Sequence, residues 1–239
     1  MINKLKEALE TSKKIVFFTG AGMSTDSGIP DFRSETGLYK TNLSAEEMIS
    51  HHYFMQNTES FYDFYKEKMI FEDAKPNFGH LFIAELEKDP NKEITVVTQN
   101  IDGLHQMAGS SKVYELHGSI HRNYCMDCDE FYPLKKIVES SGIPRCDKCG
   151  GIVKPDVVLY EEGLDGLTIE KAVNAITRAD MMVILGTSLN VYPAASFVGY
   201  FKGKYLAIIN KSSTPADSNC DIVIHDGISE TFKKVMEIK

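Results

Sequence analysis

Six short apolar, β-branched runs punctuate the chain: Ile15–Thr19, Ile94–Thr98, Val113–Leu116, Met181–Leu185, Tyr205–Ile209 and Ile222–Ile224. Helical stretches separate several of them. Thr168–Ala179 is one, with Ile169, Ala172, Val173 and Ile176 on one side. Strands alternating with helices argue for an α/β fold: a mostly parallel sheet with helices on both faces. The start of the chain reads as an amphipathic helix, with Ile2, Leu5 and Leu9 near one face. A last helix is expected from Ser229, a favourable N-cap, through Phe232 and Val235.

Two segments break this rhythm. Residues 31–75 carry no strand signal, are rich in Phe, Tyr and Glu, and contain the capping box Ser44-Ala45-Glu46-Glu47. Residues 119–154 hold all four paired cysteines. The expected organisation is a main α/β domain over 1–30, 76–118 and 155–239. A helical insertion at 31–75 and a zinc-ribbon insertion at 119–154 together build a small second domain. There is no internal repeat and no low-complexity tract.

A chain of 239 residues, 43% apolar and 25% charged, is large enough for that plan and has the make-up of an ordinary folded domain. Its formal net charge of -8 argues against a nucleic-acid partner. It suits either plain solubility or basic partners such as lysine-bearing peptides. No apolar run approaches the ~20 residues of a membrane span, and no membrane partner is expected. The N-terminus lacks the apolar centre of a signal peptide, and no lipidation motif occurs, so a cytoplasmic location is expected.

Cys125 and Cys128 are followed, after 17 residues, by Cys146 and Cys149. Four thiolates at this spacing suit one tetrahedral Zn2+ held between two knuckles, with Gly150 and Gly151 supplying the tight turn. A four-thiolate set leaves no open position, so the metal is expected to be structural, folding a segment too small to bury its own core. Cys220 stands apart and reads as a small buried apolar residue.

The first run leads into Gly20-Ala21-Gly22, where paired glycines let a backbone turn sharply and approach a pyrophosphate. The third glycine of the usual dinucleotide fingerprint is absent, with Thr25 in its place, and no acidic strand end follows about 20 residues later. An ordinary dehydrogenase is therefore disfavoured, and a plain glycine turn stays open. Other runs also end in polar residues: Gln99-Asn100-Ile101-Asp102, His117-Gly118, Gly186-Thr187-Ser188 and Asn210. Any one of these could be a turn or a helix cap. Together they bring polar groups to one sheet edge, where α/β proteins bind ligands.

At this point the residues resemble a family. GAGMSTDSGIPDFR (Gly20–Arg33), TQNIDGLH (Thr98–His105), ELHG (Glu115–Gly118), GTSLNVYPAA (Gly186–Ala195) and the four ordered cysteines are similar to those of sirtuins. The likeness extends over nearly the whole chain and suggests a single catalytic core of the bacterial kind. It implies a Rossmann-like domain that binds NAD as co-substrate against the small zinc domain, with an acyl-lysine protein or peptide entering from the opposite side. By motif, Gly20, Ala21, Gly22, Ser24, Thr25, Phe32 and Arg33 would contact NAD. So would Gln99, Asn100, Ile101, Asp102 and His117. Gly186, Thr187, Ser188, Asn210, Lys211 and Gly227 would take the adenosine half. His117 would be the general base, with Asn100 and Asp102 as catalytic companions. Val157, Val158, Leu159, Tyr160, Glu161, Val191, Tyr62 and Tyr65 would meet the acyl-lysine.

The implied activity is NAD-dependent removal of acetyl or other neutral acyl groups from protein lysines, giving nicotinamide, acyl-ADP-ribose and free lysine. The alternatives are a mono-ADP-ribosyltransferase or NAD hydrolase, and a non-catalytic NAD-binding scaffold. Two positions depart from the family. Glu161 stands where the family has glycine, restricting the backbone and adding a carboxylate near the peptide groove. Tyr65 stands where members that prefer acidic acyl groups carry arginine, so neutral acyl groups are expected, with Lys66 as the one nearby cation that could compensate.

Overall fold

The computed structural model describes residues 1–32, 37 and 45–238. Six strands form a wholly parallel sheet in the order β3-β2-β1-β7-β8-β9. They are β1 (Lys14–Thr19), β2 (Glu93–Thr98), β3 (Val113–Glu115), β7 (Met181–Leu185), β8 (Tyr205–Ile209) and β9 (Ile222–Ile224). Three others, β4 (Gly118–Cys125), β5 (Phe131–Tyr132) and β6 (Val153–Val157), form an antiparallel sheet in the order β5-β4-β6. The helices are α1 (Ile2–Thr11), α2 (Ala45–Met48), α3 (His51–Gln56), α4 (Thr58–Lys68), α5 (Phe78–Leu86), α6 (Leu104–Ala108), α7 (Leu134–Glu139), α8 (Gly166–Arg178) and α9 (Ile228–Glu237).

The parallel sheet follows from its side chains. Along β1, Ile15 and Phe17 enter one core while Val16 and Phe18 enter another. The first core lies under α1, α5 and α9, with Leu5, Ile83 and Phe232 fully buried. The second lies under α8, through Ala172 and Ile176. A strand apolar on both faces needs a layer on each, and these two layers of helices provide it. A third core joins Phe54, Phe61, Tyr62 and Tyr65 to Ile120, Tyr132, Ile137 and Val153. It thus couples α3 and α4 to the antiparallel sheet across a large gap in sequence.

The chain runs from β1 through β2 to β3 on one side, then returns to β7 beside β1 and continues through β8 to β9. The order reverses between β1 and β7. Such a reversal opens a crevice at the carboxyl ends of the strands, where ligands bind in open parallel sheets.

Two helix starts differ from expectation. The last helix begins at Ile228 with Gly227 as its N-cap, and Ser229 is already inside it. Burial of Ile228 in the first core, together with a Gly227 amide that donates to Asp226 Oδ1 (2.8 Å), sets the earlier start. Helix α8 begins at Gly166, because Asp165 accepts the Thr168 amide (2.7 Å) and fixes the entry. The capping box at Ser44 lies outside the described residues; the helix after it is present as α2. No helix among the described residues is long and apolar enough to cross a membrane.

Candidate active site

Three glycines bring the loops after β1 and β7 into backbone contact at the crevice. Gly20 N donates to Leu185 O (3.0 Å) and Gly22 N to Gly186 O (2.8 Å). A Cβ on Gly22 would lie 2.8 Å from Gly186 Cα, and one on Gly20 would lie 2.7 Å from Thr187 Cβ. Gly186 sits at φ +58 and would drive a Cβ to 2.4 Å from the Gly22 carbonyl carbon. No side chain fits at this crossing, which leaves bare backbone for a phosphate to approach.

The segment after β2 folds over these glycines. Asn100 Nδ2 donates to Gly20 O and to Ser24 Oγ, both at 3.1 Å, and Ser24 Oγ donates to Asp102 Oδ2 (2.6 Å). The Leu104 amide donates to the other Asp102 oxygen (2.9 Å). Burial raises the Asp102 pKa above the ordinary carboxylate value, against the pull of those two donors. Gln99 Nε2 donates to Thr187 Oγ1 (3.1 Å), tying the β2 and β7 ends together. Behind them, Thr19 Oγ1 donates to Thr98 Oγ1 (2.7 Å) and lies 3.1 Å from His105 Nε2. His105 packs on His80, ring centroids 4.7 Å apart.

His117 follows β3. Its Nδ1 lies 3.0 Å from Gln99 O. A carbonyl only accepts, so Nδ1 carries the proton and Nε2 of the neutral ring is a free acceptor. Burial lowers its pKa, with the Gln99 carbonyl pulling the other way. Gly118, at φ +76, brings Asp156 O to 1.9 Å from a would-be Cβ, so only glycine lets the strands cross here. The Val158 amide donates to His117 O (3.0 Å), which places the end of β6 beside this residue.

One cavity of about 910 Å³ joins these parts. Of the residues singled out from the sequence, its wall includes Gly20, Ala21, Gly22, Ser24, Thr25, Phe32, Gln99, Asn100, Ile101, Asp102 and His117. It includes Gly186, Thr187, Ser188, Val191, Asn210 and Lys211 from the segments after β7 and β8, and Val157, Val158, Leu159, Tyr160, Glu161 and Tyr65 from elsewhere. Two are elsewhere. Tyr62 points its hydroxyl to Val153 O (2.6 Å) inside the third core. Gly227 caps α9, while its neighbour Asp226 lines the cavity. Arg33 lies outside the described residues. Asp226 was missed in the sequence although it follows an apolar run, as the other polar strand ends do. Ile49, Ile120 and Lys68 also line the cavity, and no sequence motif marks them.

Glu161 occupies the left-handed region at φ +76. Its carboxylate accepts the His52 amide (3.0 Å) and lies 2.8 Å from His52 Nδ1, contacts that lower its pKa. The neighbouring Tyr160 backbone pairs with residues 49–51, accepting from His51 N (2.9 Å) and donating to Ile49 O (3.1 Å). Lys66 is turned away: its ammonium donates to the carbonyls of Ser140 (2.6 Å) and Gly142 (3.3 Å). Lys68, beside Glu67 at 2.7 Å, reaches the cavity wall, as Lys211 does from the β7–β8 side.

The four cysteine sulfurs all lie within 4.8 Å of one another. Cys125 to Cys149 is 3.4 Å, Cys128 to Cys146 is 3.6 Å and Cys149 to Cys128 is 3.4 Å. Four sulfurs at about 2.3 Å from a zinc ion stand roughly 3.8 Å apart, so the set fits one tetrahedral ion with no open position. Cys220 is separate; burial, then Asp217 and Asp221, push its thiol up to about 11, which makes it a poor nucleophile.

The chain matches the Sir2 family over residues 20–193. It is 58% identical to an NAD-dependent protein deacetylase of Clostridium acetobutylicum, covering 98% of each chain. It is 56% identical to one of Clostridium perfringens, covering 99% of this chain and 98% of that one. Among solved structures it is similar to Sir2 with a p53 peptide and NAD+, at 38% identity and a TM-score of 0.88 over 99% of this chain and 98% of that one. It is also similar to Sir2 bound to an acetylated peptide, at 37% identity and a TM-score of 0.87 over the same shares. With the parallel sheet, the glycine crossing at its switch point and the four-sulfur cluster all in place, this chain belongs to the Sir2 family.

Proposed function

We propose that this protein removes acetyl and other neutral acyl groups from lysine side chains of proteins, using NAD as co-substrate and yielding nicotinamide, acyl-ADP-ribose and free lysine. The observation that carries this reading is the His117 hydrogen bond to Gln99 O, which leaves Nε2 as a base at the wall of a cavity shared with the glycine crossing. NAD supplies the ribose carbon that accepts the acyl oxygen as nicotinamide departs. Gly20, Gly22 and Gly186 give its phosphates bare backbone, and Thr187, Ser188, Asn210 and Asp226 lie where polar groups of the adenosine half would be met. Asn100, Ser24 and Asp102 form a hydrogen-bonded chain that holds polar oxygens at the reacting ribose. His117 Nε2 takes the ribose hydroxyl proton, and Val157 and Val158 line the path of the lysine.

The deacetylase name carried by the curated relatives supports this reading over ADP-ribosyl transfer or NAD hydrolysis. Incubation with NAD and an acetyl-lysine peptide, followed by mass spectrometry, tests it. Loss of the acetyl mass with release of nicotinamide is expected. Addition of ADP-ribose to the peptide, or nicotinamide release with the acetyl group retained, would refute it.

The third core, which joins 31–75 to 119–154, supports one small domain of these segments beside an NAD-binding domain of 1–30, 76–118 and 155–239, with Val157 and Leu159 of the latter packed into it. Four thiols grouped for a metal suit a reducing compartment such as the cytoplasm.

A further inference from the structure

Two buried imidazoles lie behind the crevice, and the reaction described above uses neither. His80 on α5 and His105 on α6 have ring centroids 4.7 Å apart. Their neighbours fix where each proton sits. The Asn77 amide donates to His80 Nδ1 (3.3 Å), so the proton of the neutral ring is on Nε2. Thr19 Oγ1 gives its own proton to Thr98 Oγ1 (2.7 Å), so at 3.1 Å it accepts from His105 Nε2, and His105 Nδ1 is bare. Burial keeps both rings neutral at pH 7. His80 Nε2 and His105 Nδ1 have no partner among the described residues. One is a donor and the other an acceptor, so the two rings suit a hydrogen bond to each other. They do not suit a shared metal ion, which needs both nitrogens unprotonated.

From His105 the bonds continue toward the site. Gln99 N still reaches Thr19 O (2.9 Å), but the next amide, that of Asn100, donates to Thr98 Oγ1 (3.0 Å). Asn100 Nδ2 then donates to Gly20 O and Ser24 Oγ, and Ser24 Oγ to Asp102. An unbroken series thus runs from His105 through Thr19, Thr98, Asn100 and Ser24 to Asp102. Each donor direction is set by the one before it. With His105 donating, Thr19 turns its proton to Thr98, and Thr98 uses one lone pair on Thr19 and the other on Asn100. A buried polar chain whose members are paired fixes a single arrangement. His105, Thr19 and Thr98 are not part of the cavity wall, whereas Asn100 is, so any effect of the first three on the reactants passes through Asn100. We propose that His105 is a positioning residue for the cleavage of NAD: through Thr19 and Thr98 it fixes the turn that presents Asn100 to the reacting ribose. This rests on the deacylase reading above.

The test measures nicotinamide release and acetyl loss with NAD and an acetyl-lysine peptide, with thermal melting as the check on folding. His105→Leu should lower kcat for both by about tenfold while the peptide KM stays unchanged. His105→Gln, whose amide nitrogen can still donate to Thr19, should recover most of the loss. Thr98→Val should match His105→Leu, and the double variant should be no slower than either, because both interrupt one series. Normal kcat in His105→Leu overturns the proposal, as does a loss seen in KM alone. So does a glutamine variant no better than leucine, or a double variant in which the two losses multiply. Should His105→Leu fail to fold, Thr98→Val and Thr98→Ser decide: valine should show the loss and serine should not, and equal activity of the two overturns the proposal. Any of these results with brisk turnover by the unaltered protein overturns only this proposal; no turnover of any acyl peptide by the unaltered protein overturns the deacylase reading with it.

Discussion

At the scale of single residues, the tautomer of His117 is set by one carbonyl. Gln99 O holds Nδ1 of His117 and so selects the tautomer, while burial lowers the pKa of the ring. The base form is therefore fully present at neutral pH and is lost only as pH falls through a value under the ordinary ~6.5. The acid limb of kcat/KM is expected below pH 6.5. His117→Ala should lower deacylation by about 10²–10⁴-fold while NAD still binds, as isothermal titration would show. Near-normal turnover by that variant would remove His117 from the reaction. The residues of this site were legible because His, Asn and Asp directly after buried strands serve no core. Tyr62 was not legible. Its hydroxyl meets Val153 O, a partner 91 residues away, and no local pattern announces such a contact.

At the scale of elements, the six strands of the parallel sheet could be read, whereas β4, β5, β6 and the helix entries could not. Runs buried on both faces mark themselves, and β7, β8 and β9 match them end to end. Helix α5 was unmarked because its capping box uses His80 at the position where Glu or Gln is the usual sign. The antiparallel sheet carries the four cysteines positioned to hold a metal and is expected to depend on it. One zinc per chain is expected by elemental analysis. Cys146→Ser should remove amide-exchange protection from β4, β5 and β6 while β1, β2 and β7 keep theirs. Uniform loss across both sheets would show that the cluster supports the whole fold. The loop after β6 makes a separate case. Glu161→Gly loses the His52 contacts but relieves the left-handed backbone, whereas Glu161→Ala loses the contacts and keeps a strain of about 1–2 kcal/mol. Both should raise the peptide KM, and alanine should raise it more. Wild-type KM in the alanine variant would mean that the pairing of Tyr160 with residues 49–51 holds the loop without help.

For the whole molecule, buried imidazoles set the response to acid. Burial lowers the pKa of His80 to about 4, and burial and then His80 lower that of His105 further below its usual value. Between pH 6.5 and about 4 the unfolded chain binds protons at these rings that the native chain does not. Native stability therefore falls as pH drops through that window, by up to about 1.4 kcal/mol per pH unit for each ring. Urea midpoints at pH 7 and pH 5, with excess zinc present, should show the loss. His80→Gln, whose amide can still close the cap of α5, should show a smaller one. An unchanged difference between the two pH values would exclude His80 as a source.

His117 is gripped from two directions. Its ring bonds back to Gln99 at the end of β2, while its carbonyl receives Val158 from β6 and the next residue, Gly118, lies against Asp156. A rocking of the antiparallel sheet against the parallel one would therefore turn about this point, as a door turns about its hinge pin. The base would stay in place through every opening, and the widest travel would come at the end of the small sheet farthest from it. Entry and exit of reactants would then leave the proton-transfer geometry undisturbed from one turnover to the next.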